Sequence, residues 1–190
     1  MHKHSKFEQF LAKFILLHVC YMHFFIEHLM GHHKRVATPE DPATARLGEN
    51  VYQFVPRSIV QSFQSAWHIE CKRLRDAGLP VLSVQNQMLW FVALPLMFLA
   101  MATTLYGPRS GIFFLLQSLL AVSLLEIVNF IEHYGLQRKQ TAPGKYERVN
   151  PHHSWNSASV VTSSLTLNLP VREQPPTHLS PSLRVPQVLA

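Results

Sequence analysis

Two long apolar runs limit what this chain can fold into more than any other feature. Residues 88–106 carry no charge over 19 positions, and residues 112–131 carry only Glu126 over 20. As a helix, each run is about 30 Å long, enough to cross the hydrocarbon core of a bilayer. The link between them, Gly107-Pro108-Arg109-Ser110-Gly111, is rich in turn formers. The spacing therefore predicts a transmembrane helical hairpin, with Pro95 kinking its first arm because proline lacks a donor and crowds the preceding turn.

The remainder is more polar. Mean hydropathy is only +0.06, so spans must alternate with solvated loops. Apolar residues make up 47% and charged ones 15%, with a net charge of +6. A basic balance can indicate nucleic acid, but beside uncharged apolar runs it fits a membrane protein with basic cytosolic loops. Lipid, and no nucleic acid, is the expected partner. Seven Lys or Arg lie within residues 31–86 and four within 137–148, against one in the hairpin turn. Both ends of the hairpin are thus expected on the cytoplasmic side. Cys20 and Cys71 make no disulfide framework, and no secretory signal is visible.

Residues 11–26 form a shorter apolar stretch containing Lys13, His18 and His23. They are read as a third helix that either enters the membrane obliquely or is buried among other helices. Residues 37–57, with three prolines, read as an ordered cytosolic loop. Residues 58–77 read as an amphipathic surface helix, with Ile59, Val60, Phe63 and Trp67 at helical spacing. Five prolines from Pro170 to Pro186 mark residues 158–190 as a divergent, disordered tail.

Histidine is the second constraint, with 12 in the chain. In Glu27-His28-Leu29-Met30-Gly31-His32-His33, an α-helix would put His28 and His32 about 40° apart, close enough to share an ion, with His33 displaced by about a further 100°. Neutral imidazole ligates iron, zinc or copper. A polar helix end at a membrane surface is the plainer reading, but three histidines in six residues directly after an apolar helix favour metal. Glu126, Asn129 and His133 share a face of the second span, with Glu132 beside them; an ionisable group within a span normally faces a functional interior. His133 falls at the same expected depth as His28–His33, which argues for one shared site. His18 and His23 read as packed side chains. His152 and His153 are either donors that orient ligands or part of a solvated loop. His2 is ambiguous from spacing alone, and His178 lies in the tail.

Three stretches, HFFIEHLMGHHKRVATPEDPATARLGENVYQFVPRS, NFIEHYGLQRK and YERVNPHHSWNS, together resemble the integral-membrane alkane 1-monooxygenases, a branch of the group that includes the membrane fatty-acid desaturases. The resemblance covers roughly residues 1–157, a partial domain of this kind. It implies an all-α membrane bundle with a non-haem di-iron centre at its cytosolic end, in a bacterial inner membrane. Such enzymes take dioxygen and electrons from a rubredoxin-type donor and convert an alkane to a primary alcohol. Carried over, His28, His32 and His33 match one histidine box and His133 another. His2 matches the last histidine of a first box of the form HExxHK. Glu27, Glu126, Asn129, Glu132, His152 and His153 are then candidates for the shell around the two irons.

The rest of the first box would precede Met1, and the final three-histidine box of the family has no counterpart after Ser157. A partial chain, weakly active or inactive alone, is expected; a reading-frame shift near residue 170 would explain Gln174-Pro175-Pro176-Thr177. Lys34, Arg35, Arg46 and Arg57 are candidates for docking an acidic electron carrier. A fatty-acid desaturase or hydroxylase, and a non-catalytic membrane relative that keeps only the fold, are the competing readings. A zinc hydrolase ranks last, because no HExxH helix is present.

Overall fold

A computed structural model describes residues 5–155. His2, His178 and the tail from 158 onward lie outside the described residues. The architecture is helical, in the order α1 (Lys6–Leu17), α2 (Phe24–Ile26), a π-helical turn (Glu27–His32), α3 (His33–Arg35), α4 (Val51–Asp76), α5 (Gln87–Tyr106) and α6 (Pro108–His133). A two-stranded antiparallel ribbon, β1 (Gln140–Ala142) and β2 (Lys145–Tyr146), and a 3₁₀ turn (Pro151–His153) follow.

α5 and α6 are the two apolar runs. Both are long and apolar enough to cross a membrane, and little of either is buried within the protein, 17% and 28%. Leu96, Met97, Met101 and Leu105 on α5, and Phe113, Leu116, Leu119, Leu120, Leu124 and Ile131 on α6, face outward. A contiguous apolar surface of this extent is stable against lipid or another apolar partner, not against water. The link is tighter than the sequence implied. Gly107 alone separates the helices, at φ +84°, with Pro108 opening α6; glycine tolerates that backbone and proline suits a first helical position.

Residues 11–26 do not form one helix. α1 is 12 residues, about 18 Å, and so falls short of a span. It ends in a turn at residues 18–20, where Cys20 adopts φ +52°. The freed carbonyl of His18 is satisfied from α6, by Gln117 and by the Ser118 hydroxyl. This break lets Tyr21, Met22, Phe24 and Ile26 pack inward against α4, α5 and α6.

α4 starts earlier than expected, at Val51, so residues 51–57 are helix rather than loop. Asn50 supplies the reason: its side chain accepts from the Gln53 amide and caps the helix. Pro56 falls inside the helix, where the missing donor costs one hydrogen bond. At the other end, Glu70, only 2% exposed, accepts two bonds from Arg73 and one from the Gln87 amide at the head of α5. Replacing Glu70 with alanine removes these charge-assisted bonds and is expected to cost about 2–3 kcal/mol. Thermal unfolding in detergent measures it.

Residues 36–45 are largely buried. Small residues, Ala43 and Ala45 among them, allow the close approach. The segment after α6 is pinned to this loop by the Gly135 amide on the Ala45 carbonyl (2.9 Å) and the Arg138 amide on the Ala37 carbonyl (2.7 Å). These bonds fix where the end of α6 lies relative to the π turn.

Candidate metal centre

The π turn is the local feature that decides the geometry. Its hydrogen bonds run from residue i to i−5, as from the His33 amide to the His28 carbonyl. The wider turn brings residues five apart onto one side. His33 therefore does not point away from His28, as α-helical geometry would require. Their Nε2 atoms face each other at 3.1 Å. The His28 ring lies 4.5 Å from His33 and 5.4 Å from His32, centroid to centroid.

His133 joins them from α6. Its ring centroid is 4.8 Å from that of His32, and it is 1% exposed. The Nδ1–H of His133 donates to the His153 carbonyl at 3.2 Å. The Trp155 amide on the Glu132 carbonyl (2.7 Å) and the Trp155 indole on the Tyr134 carbonyl (3.0 Å) hold that segment in place. Because a carbonyl can only accept, the proton sits on Nδ1 and the lone pair of His133 is on Nε2.

His32 is oriented in the same way. Its Nδ1 lies 2.9 Å from Asp41 Oδ2, and Asp41 also accepts from the Thr44 hydroxyl at 2.6 Å. Burial alone would lower the pKa of His32; the charge and hydrogen bond of Asp41 outweigh it and raise the value. Burial likewise opposes ionisation of Asp41, but His32 and Thr44 hold it below the usual carboxylate range. Burial first, then the neighbouring His32 and His33, pushes His28 well below the ordinary imidazole value, so it is neutral.

Among the described residues, no three His, Cys, Asp or Glu side chains form a closed ligand set. The imidazoles are packed against one another instead. The donor chemistry nonetheless fits a cation. Metal–imidazole bonds of roughly 2 Å place adjacent nitrogens about 3 Å apart, which is the His28–His33 separation. His28 Nδ1 is buried without a hydrogen-bond partner, so this ring is incompletely satisfied by protein alone.

The family model for fatty acid desaturases matches residues 1–183. The chain belongs to the fatty acid desaturase family. Within it the chain is similar to alkane 1-monooxygenase 1 of Pseudomonas aeruginosa, 45% identical over 169 residues, which cover 89% of this chain and 44% of that protein. It is 42% identical to the alkane 1-monooxygenase of Pseudomonas putida over 168 residues, 88% of this chain and 42% of that one. The hydroxylase component of a xylene/toluene monooxygenase from Pseudomonas putida is 31% identical over 140 residues, 74% and 37% respectively. The chain thus spans less than half the length of these relatives.

The other singled-out residues of this desaturase-family chain take separate places. Glu126 is fully buried and accepts from the Tyr21 hydroxyl at 2.8 Å, with Ser58 and Asn129 also against its carboxylate. Asn129 is buried one turn nearer His133, beside the Glu126 carboxylate. Glu27 is 1% exposed and pairs with Arg35 at 2.8 Å. Glu132 Oε2 lies 3.8 Å from His133 Nε2. Both ring nitrogens of His153 are engaged, Nδ1 by the Asn150 amide and Nε2 by Glu147, so it reaches His133 only through its main chain. His152 is exposed. His23 packs edge-on against Tyr21 and Phe63, and the His18 ring bonds the Phe14 carbonyl.

Asp41 was missed by sequence reasoning, because it lies in a proline-rich loop with no periodicity to mark it. A carboxylate two residues before the run of small residues Ala43-Thr44-Ala45 was the available signal.

Proposed function

We propose that this chain carries part of a non-haem di-iron monooxygenase of the membrane, with His28, His32, His33 and His133 as iron ligands and His2, outside the described residues, as a fifth. The whole protein would hydroxylate the terminal carbon of an alkane to a primary alcohol. The reading is supported above all by one observation: a histidine at the end of an apolar α6 meets two from the π turn and the one that follows it, in a chain similar to alkane 1-monooxygenases.

Bound iron supplies the activation of dioxygen that a strong C–H bond demands. The protein's part follows from its own residues. Asp41 and the His153 carbonyl hold two imidazoles with Nε2 free to ligate. The buried walls of α4 and α6 around His32, His133 and Glu126 keep water away. The cluster sits at the end of the hairpin away from Gly107; the basic loops at that end support a cytoplasmic orientation, in the inner membrane on this reading.

A rubredoxin-type donor would approach that face. Of the four basic candidates, Arg57 is bidentate to Glu49 and Arg35 is paired with Glu27. Lys34 and Arg46 remain exposed and are the residues to steer an acidic carrier.

Product analysis tests the proposal. Membranes containing the whole protein, given dioxygen, reduced rubredoxin and either an n-alkane or a fatty acyl substrate, should yield the primary alcohol from the alkane. Desaturated or hydroxylated acyl chains, with no alkanol, would replace this reading with that of a desaturase.

A further inference from the structure

The π turn carries an unusual load, since it inserts a residue's worth of slack between His28 and His33 and must be prevented from rewinding into an α-helix. Gly31 is the fifth of its six residues. A Cβ at this position would fall well inside contact distance of both Glu27 carboxylate oxygens and its Cδ. The carboxylate therefore occupies the notch that the missing side chain leaves. It cannot swing aside cheaply, being 1% exposed and bonded to the Arg35 guanidinium at 2.8 Å. The same Arg35 nitrogen donates to the Ser65 hydroxyl on α4. Glu27 begins the turn and Arg35 closes α3 just beyond it, so the ion pair brackets the whole segment and ties it to α4.

We propose that Glu27, Arg35 and Ser65, seated on Gly31, form a clamp that holds the π turn open and thereby sets His28 against His33. These are positioning residues; none of them need touch substrate or metal. The consequence for iron rests on the site proposed above, whereas the geometric claim does not.

The test separates the two. Five residues of a regular α-helix put side chains about 140° apart, too far for a disulfide, which requires Cα atoms within about 7 Å. In the full chain with Cys20→Ser and Cys71→Ala, the pair His28→Cys and His33→Cys should close a disulfide with diamide. Adding Glu27→Ala or Gly31→Ala should slow closure about tenfold or more by letting the turn rewind, while Arg35→Lys, which keeps a cation beside Glu27, should keep most of the rate. Circular dichroism reports folding; where alanine at 27 lowers helix content, Glu27→Gln, which keeps the side-chain volume, takes its place and should also slow closure.

In parallel, ferrous titration of the histidine-bearing chain should show weaker binding in Gly31→Ala. A parent pair that does not close, or closes equally fast with the clamp removed, overturns the proposal. Slowed closure together with no iron binding by the unsubstituted chain leaves the clamp standing and removes the iron site instead.

Discussion

Replacing His133 with alanine is expected to lower ferrous affinity by at least about 100-fold. Loss of an orienting partner alone costs 10- to 100-fold, and the loss of an imidazole ligand should exceed it. Of the four proposed ligands within the described residues, three share one short segment, Glu27–His32 and the residue after it. His133 is the member contributed by another element, and it is what makes the cluster a tertiary site rather than a local motif. It also ends α6, so its removal leaves the apolar hairpin intact. His133→Asn, of similar polarity and smaller reach, should lose iron comparably with unchanged helix content. Anaerobic titration with ferrous iron, with circular dichroism alongside, measures both.

Asp41→Ala is expected to act on stability and metal together. It strips the acceptor from the His32 Nδ1–H and from the Thr44 hydroxyl inside a buried loop. Removing one partner of a buried charged pair costs about 3–5 kcal/mol. Ferrous affinity should fall by about 10- to 100-fold, as for other carboxylates that orient a ligating histidine. Asp41→Asn keeps an oxygen that can accept from His32, so it should lose less stability while still weakening metal binding. Thermal unfolding in detergent separates the two contributions. Equal stability of Asp41→Ala and the unsubstituted chain would remove Asp41 from the account.

What the sequence revealed and what it hid have physical reasons. The hairpin was legible because hydropathy over 19 or 20 residues has few structural solutions. The face of α6 bearing Glu126, Asn129 and His133 was legible too: regular helix spacing puts them together, and all three are buried. The π turn was not. Sequence periodicity assumes 3.6 residues per turn, so it set His33 away from His28, and only the i−5 hydrogen bonding reverses that. The start of α4 was hidden because Pro56 reads as a helix breaker, although the Asn50 cap had already committed the chain to helix. The interruption of residues 11–26 depends on α6 satisfying the His18 carbonyl, a contact that no local pattern encodes. Asp41 was invisible for a related reason, its role being set entirely by where the loop folds back.

X-ray absorption at the iron edge of the ferrous-loaded full chain tests the central claim most directly. The account predicts a coordination sphere dominated by imidazole scattering, with that signal reduced in His133→Ala. A sphere without imidazole, or one identical in the two proteins, would contradict it.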